Sequence, residues 1–106
     1  MPKYLLEVRY TDEGLKGVVA KGGSARVAAA TAAAKSAGGT VESFYFAFGE
    51  NDVYVVADFP DNAAAAALAL TVGAAGGAAV KTVALLTPEE VDRAAKASVD
   101  YRPPGS

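Results

Sequence analysis

The stretch Phe44-Tyr45-Phe46-Ala47-Phe48-Gly49-Glu50-Asn51-Asp52-Val53-Tyr54-Val55-Val56-Ala57-Asp58-Phe59 decides the fold. Two runs rich in aromatic and β-branched residues flank the short segment Gly49-Glu50-Asn51-Asp52. Such runs suit a pleated, half-buried surface, and a four-residue connection suits an antiparallel hairpin. The pattern predicts strands over 40–48 and 52–59, with Pro60 ending the second. Asp52 can hold nearby backbone N–H groups through its carboxylate, or can contact a ligand at an oligomer edge. Gly49 is expected to supply a positive φ for the turn.

On the N-terminal side, residues 3–10 alternate apolar and polar side chains and read as a strand. Tyr4, Leu6, Val8 and Tyr10 share one face, and Leu5, Glu7 and Arg9 the other. Thr11-Asp12 offers N-cap chemistry for a short helix over about 13–21. Gly22-Gly23 breaks that helix, Ser24 is expected to cap a second one running to Ala37, and Gly38-Gly39 stops it. On the C-terminal side, Asp61-Asn62 caps a helix through about Val72, and a glycine-rich turn leads to a fourth strand over 80–86. Thr87-Pro88-Glu89-Glu90 forms a capping box for a last helix ending near Ser98.

This order is β-α-β-β-α-β-α, whose first six elements form the ferredoxin-like split β-α-β. The predicted fold class is α+β, a four-stranded antiparallel sheet in the order 4-1-3-2. Two main helices cover one face and an extra helix follows at the C-terminus. One domain is expected over 1–100, with a loose tail over 101–106.

Composition narrows the chemistry. The 106 residues carry 10 Lys and Arg against 12 Asp and Glu, a formal net charge of −2, which argues against non-specific nucleic-acid binding. There is no cysteine, hence no disulfide or thiolate nucleophile, and no histidine, hence no imidazole base and few transition-metal options. No cofactor or metal site is expected. No signal-peptide or membrane-spanning pattern is visible, which predicts a cytoplasmic protein. Alanine dominates two blocks, 25–37 and 63–79. This reflects helix propensity alone, or it allows close helix–sheet contact with little cavity space.

Helices can cover only one sheet face. Val53, Val55 and Ala57 suit that face, so Asp52, Tyr54, Val56 and Asp58 point away from it. Parity assigns Glu42, Phe44, Phe46 and Phe48 of the second strand and Lys81, Val83 and Leu85 of the fourth to the same open face. Aromatics interleaved with charges imply cover by a second subunit, single-stranded RNA stacking or a solvated surface. The acidic balance disfavours RNA, so self-association is the expected fate.

Three groups are candidates for chemistry. The first is Gly49 and Asp52 at the hairpin. The second is Gly22-Gly23-Ser24-Ala25-Arg26, where helix N–H groups and Arg26 could hold an anion; its structural alternative is a helix break with an N-cap. The third is Tyr10, Tyr45 and Tyr54 with Glu7, Arg9, Asp58 and Lys81, on the open face or beneath the helices. A carboxylate in an apolar pocket could act there as a general base, or the charges could pair within an interface as Glu7–Lys81 or Arg9–Asp58.

Tyr10-Thr11-Asp12-Glu13-Gly14-Leu15-Lys16-Gly17, Gly22-Gly23-Ser24-Ala25-Arg26 and Phe44 to Val53, together with Val80-Lys81-Thr82 and Leu86-Thr87-Pro88-Glu89-Glu90, resemble the GYD-domain family of small bacterial proteins. The likeness covers roughly residues 3–97. Gly49 and Asp52 match the family's motif, and Asn51 stands where the family has Tyr. The resemblance implies a ferredoxin-like fold of the dimeric α/β-barrel type and no particular reaction. The leading function expected is small-molecule binding in or beside the sheet or subunit interface. The candidate ligand residues are Tyr10, Arg26, Tyr45, Gly49, Asp52 and Tyr54. The alternatives are a cofactor-independent isomerase or monooxygenase, and a purely structural oligomer.

Overall fold

A central strand, β1 (Lys3–Tyr10), pairs antiparallel on both sides, with β3 (Val53–Asp58) and with β4 (Ala78–Leu85). β2 (Thr40–Phe46) pairs with the outer edge of β3, so the sheet order is β2-β3-β1-β4. This is the predicted order read from the other edge. The structure, a computed structural model, describes residues 1–105.

The first crossover is made of two helices, α1 (Asp12–Lys21) and α2 (Gly23–Ser36), and the second of α3 (Asn62–Ala75). Their starts and stops follow local chemistry. Thr11 accepts from the Gly14 N–H, and Asp61 from the Ala64 N–H. Gly22 sits at φ 81°, a left-handed backbone that an L side chain resists, and it separates α1 from α2. Gly22 is therefore the N-cap of α2, and it makes no side-chain cap bond. Ser24, expected as the cap, lies inside the helix instead. α4 (Pro88–Lys96) has its capping box: Thr87 accepts from the Glu90 N–H, and Glu90 accepts from the Thr87 N–H at 3.0 Å. That backbone bond holds the Glu90 carboxyl below its ordinary pKa. α4 buries none of its residues and extends from the body of the fold. The radius of gyration, 16.9 Å, exceeds the roughly 13 Å of a compact chain of this length.

The core lies between the sheet and α2 and α3. Tyr4 and Leu6 of β1, Val53, Val55 and Ala57 of β3, and Phe59 are buried, with Ala34 and Ala65 meeting them from the helices. This matches the predicted inner face of β1 and β3.

The second strand departs from the expected parity. Thr40 and Val41 oppose Asp58 and Ala57, but Ser43 then opposes Val56, leaving Glu42 as an extra residue. Such a bulge shifts every later side chain to the opposite face. Phe44 and Phe46 therefore point toward the helices, not to the open face. Phe44 lies against the core, and Phe46 sits where a Cβ on Gly23 of α2 would come within 2.8 Å of its ring. β2 ends at Phe46, and Phe48 stands fully in solvent beyond it. Gly49 does not adopt a positive φ, so the turn closes without the left-handed residue expected there.

Candidate functional site

Alanine sets the shape beneath the helices. Arg26, Ala29, Ala30 and Ala33 fall on one face of α2 by helical spacing and face the sheet. Three methyl groups fill less space than the leucines or valines common at such positions. An apolar cavity of about 100 Å³ remains between them and Leu6, Val8, Phe44, Val53, Val55 and Val80. Of the two readings of the alanine blocks, close helix–sheet contact describes the buried Ala34 and Ala65 but not this space.

Among the described residues, only two polar side chains, Tyr10 and Arg26, reach the wall of this cavity. Both also line a wider, more open cleft of about 540 Å³ between α1, α2 and the end of α3, together with Glu13, Lys21 and the glycines Gly14, Gly17 and Gly77. Ala29, Val72 and Ala78 are shared by the two as well, so the spaces adjoin. The Arg26 Nε is shielded from solvent and has no hydrogen-bond partner among the described residues. Arg26 also has no ion-pair partner among the described residues. A guanidinium N–H out of reach of water and without an acceptor is costly, and buried polar groups are normally paired.

Glycine lets two walls of the cleft meet closely. A Cβ on Gly14 would lie 1.9 Å from the Gly77 carbonyl oxygen, so α1 approaches the α3–β4 turn more closely than any side chain permits. Thr11 fastens the contact: its N–H donates to the Gly77 carbonyl at 3.0 Å and its hydroxyl to the Gly76 carbonyl at 2.9 Å.

Asp52 is tied into the sheet. Its carboxylate accepts from the Tyr10 N–H at 2.8 Å, its own N–H donates to the Val8 carbonyl, and its carbonyl accepts from the Ala47 N–H. These bonds carry the ladder past the start of β3 and fix Tyr10 at the cavity wall. Gly49 is exposed in the turn, with no side chain or backbone near its Cβ position.

Tyr45 and Tyr54 lie on the other side of the sheet, directly opposite each other across β2 and β3. Their row continues through Glu7 to Lys81, and the next row runs Val56, Leu5, Val83. Glu7 and Lys81 are in register but form no ion pair. Asp58 pairs with Lys3 at 3.0 Å rather than with Arg9, which lies at the far end of β1 beside Ala79. Lys3 also reaches Glu42 at 3.1 Å, and the hydrogen bonds to Asp58 and then Glu42 raise its pKa above the ordinary lysine value. Asn51 donates to the Tyr54 hydroxyl at 3.3 Å and to Glu7 at 3.4 Å, both long.

The six candidate residues thus separate. Tyr10 and Arg26 meet at the cavity, with Asp52 behind Tyr10, whereas Tyr45 and Tyr54 are on the opposite face and Gly49 is at the hairpin tip. The cavity alanines and the cleft residues Glu13 and Lys21 were not among the sequence candidates. The spacing of Arg26, Ala29, Ala30 and Ala33 is the signal that could have found them. No group of three or more carboxylates is placed to hold a metal among the described residues, and none of the described helices is long and apolar enough to cross a membrane.

Neither a curated protein nor a solved structure matches the chain. The sequence profile of the GYD domain matches residues 4–95 of the 106, from the second residue of β1 to the last turn of α4, and the chain therefore belongs to the GYD-domain family.

Proposed function

We propose that this protein binds a small molecule, without metal or cofactor, and acts as a homo-oligomer in the cytoplasm. The observation that carries the binding reading is the apolar cavity bordered at its mouth by Tyr10 and by an Arg26 whose Nε has no partner among the described residues. Pockets for small molecules combine apolar walls with a few placed polar groups, and this cavity has that make-up. The isomerase or monooxygenase reading calls for a carboxylate base held in the pocket, and no Asp or Glu lines the inner cavity. Binding is therefore favoured over catalysis.

Self-association rests on the open sheet face. Leu5, Val56 and Val83 form an apolar row, flanked by Tyr45 and Tyr54, on the face away from the core helices α2 and α3. Contiguous apolar surface of this kind marks interaction sites. Native mass spectrometry of the protein purified from its own cells tests both parts. The expected spectrum shows a dimer or larger species carrying a retained small-molecule mass. A bare monomer at micromolar concentration would overturn the assembly. A mass equal to polypeptide alone, together with no response of the cavity methyl groups to a small-molecule fragment library in NMR spectra, would overturn the binding.

A further inference from the structure

We infer that the ligand is a short aliphatic monocarboxylate, its hydrocarbon end in the cavity under α2 and its carboxylate on Arg26. The inference rests on the small-molecule reading above and adds the chemical class. Size sets the apolar part. An apolar cavity of about 150 Å³ takes benzene, so about 100 Å³ accepts a smaller group such as a propyl or isobutyl chain. The walls supply only aliphatic and aromatic carbon at that end, from Leu6, Val55, Ala33 and Phe44 among others, and so offer nothing to a second polar group.

Charge sets the head. The polar side chains at the cavity mouth and in the adjoining cleft, among the described residues, are Arg26, Lys21, Glu13 and Tyr10, two cations against one carboxylate. A guanidinium edge matches a carboxylate in two parallel hydrogen bonds, and such charge-assisted bonds are roughly twice as strong as neutral ones. A bound carboxylate would supply the acceptor that the Arg26 Nε lacks. The surplus of one positive charge suits a monoanion better than a dicarboxylate or an amine.

The probes are 3-methylbutanoate, 3-methylbutan-1-ol and 3-methylbutylamine, which share one hydrocarbon group and differ in the head. Each is titrated into the full chain labelled at Ala, Val and Leu methyl groups and followed by NMR. The acid is expected to shift the methyls of Ala33, Val55 and Leu68, and the alcohol and amine to do so only at far higher concentration. Arg26→Gln should weaken acid binding by about tenfold or more, and Arg26→Lys by less, since it keeps the charge without the planar fork. Ala33→Leu should fill the cavity and abolish binding with Arg26 intact. Equal binding of the alcohol or amine, or acid binding unchanged in Arg26→Gln, overturns the carboxylate assignment and leaves the small-molecule reading standing. Undiminished binding in Ala33→Leu overturns the location. No response to any of the three probes overturns the proposal, and the broader reading falls with it only if the native mass spectrum and the fragment library are negative too.

Discussion

Replacing Asp52 with alanine tests whether this hairpin position is built for the sheet or for a ligand. In the structure its carboxylate is partly buried and accepts from the Tyr10 N–H at 2.8 Å. β3 begins at Val53, so no strand backbone is available there, and the side chain serves as the acceptor. A hydrogen bond to a charged group contributes about 1.5–3 kcal/mol, and its loss also leaves the Tyr10 N–H to find water. Asp52→Ala is therefore expected to destabilise by about 2 kcal/mol, lowering the thermal midpoint by roughly 10 °C in a domain of this size. Asp52→Asn keeps a neutral acceptor and should lose about half as much. The assay is urea unfolding of both variants, combined with hydrogen exchange at the Tyr10 amide. Protection at Tyr10 should fall in Asp52→Ala before that of the central β1 amides. A stability within about 0.5 kcal/mol of the parent, with Tyr10 protection unchanged, would refute the structural role and return Asp52 to the ligand candidates.

Other substitutions probe separate parts of the fold. Gly14→Ala should cost about 2–3 kcal/mol or more, because its Cβ would meet the Gly77 carbonyl backbone at 1.9 Å, whereas Gly17→Ala, on the same helix with nothing within 4 Å, should stabilise by about 0.5–1 kcal/mol; denaturant midpoints of the two variants should move in opposite directions. In the ligand-free protein, Arg26→Met should raise stability by up to about 1 kcal/mol by removing an unpaired shielded donor, and a loss in urea unfolding would show that Arg26 has a structural partner. Lys3 has its folded pKa raised above the ordinary 10.5 by Asp58 and Glu42. Its contribution to stability is fully present below that value and is lost as pH rises through and beyond it. Lys3→Met should therefore flatten the alkaline limb of a stability–pH profile, and an unchanged limb would show that the two ion pairs contribute nothing.

Most of the fold could be read from local chemistry. The caps at Thr11, Asp61 and Thr87 act where the sequence places them. Alternation over residues 3–10 and 53–58 separates the buried from the open side chains of β1 and β3 without reference to any partner strand. Such features depend on residues within a turn or two of one another, so the sequence carries them directly. β2 is different. Nothing in Thr40-Val41-Glu42-Ser43-Phe44 announces that two residues will oppose one on β3, because a bulge is a property of the pair of strands. That one residue moves Phe44 and Phe46 from the open face to the helix side. The candidate site shows the same division. Tyr10 and Arg26 could be singled out by residue type, but they lie in different elements, and the cavity between them exists only because α2 brings alanines over the β-sheet. What the sequence determined by itself was the family, the order of elements and the inner face of the central strands, since helix and strand periodicity and capping are local. What only the tertiary structure decided was the parity of β2 and the meeting of Tyr10, Arg26 and an unfilled space, since both arise from contacts between segments far apart in the chain.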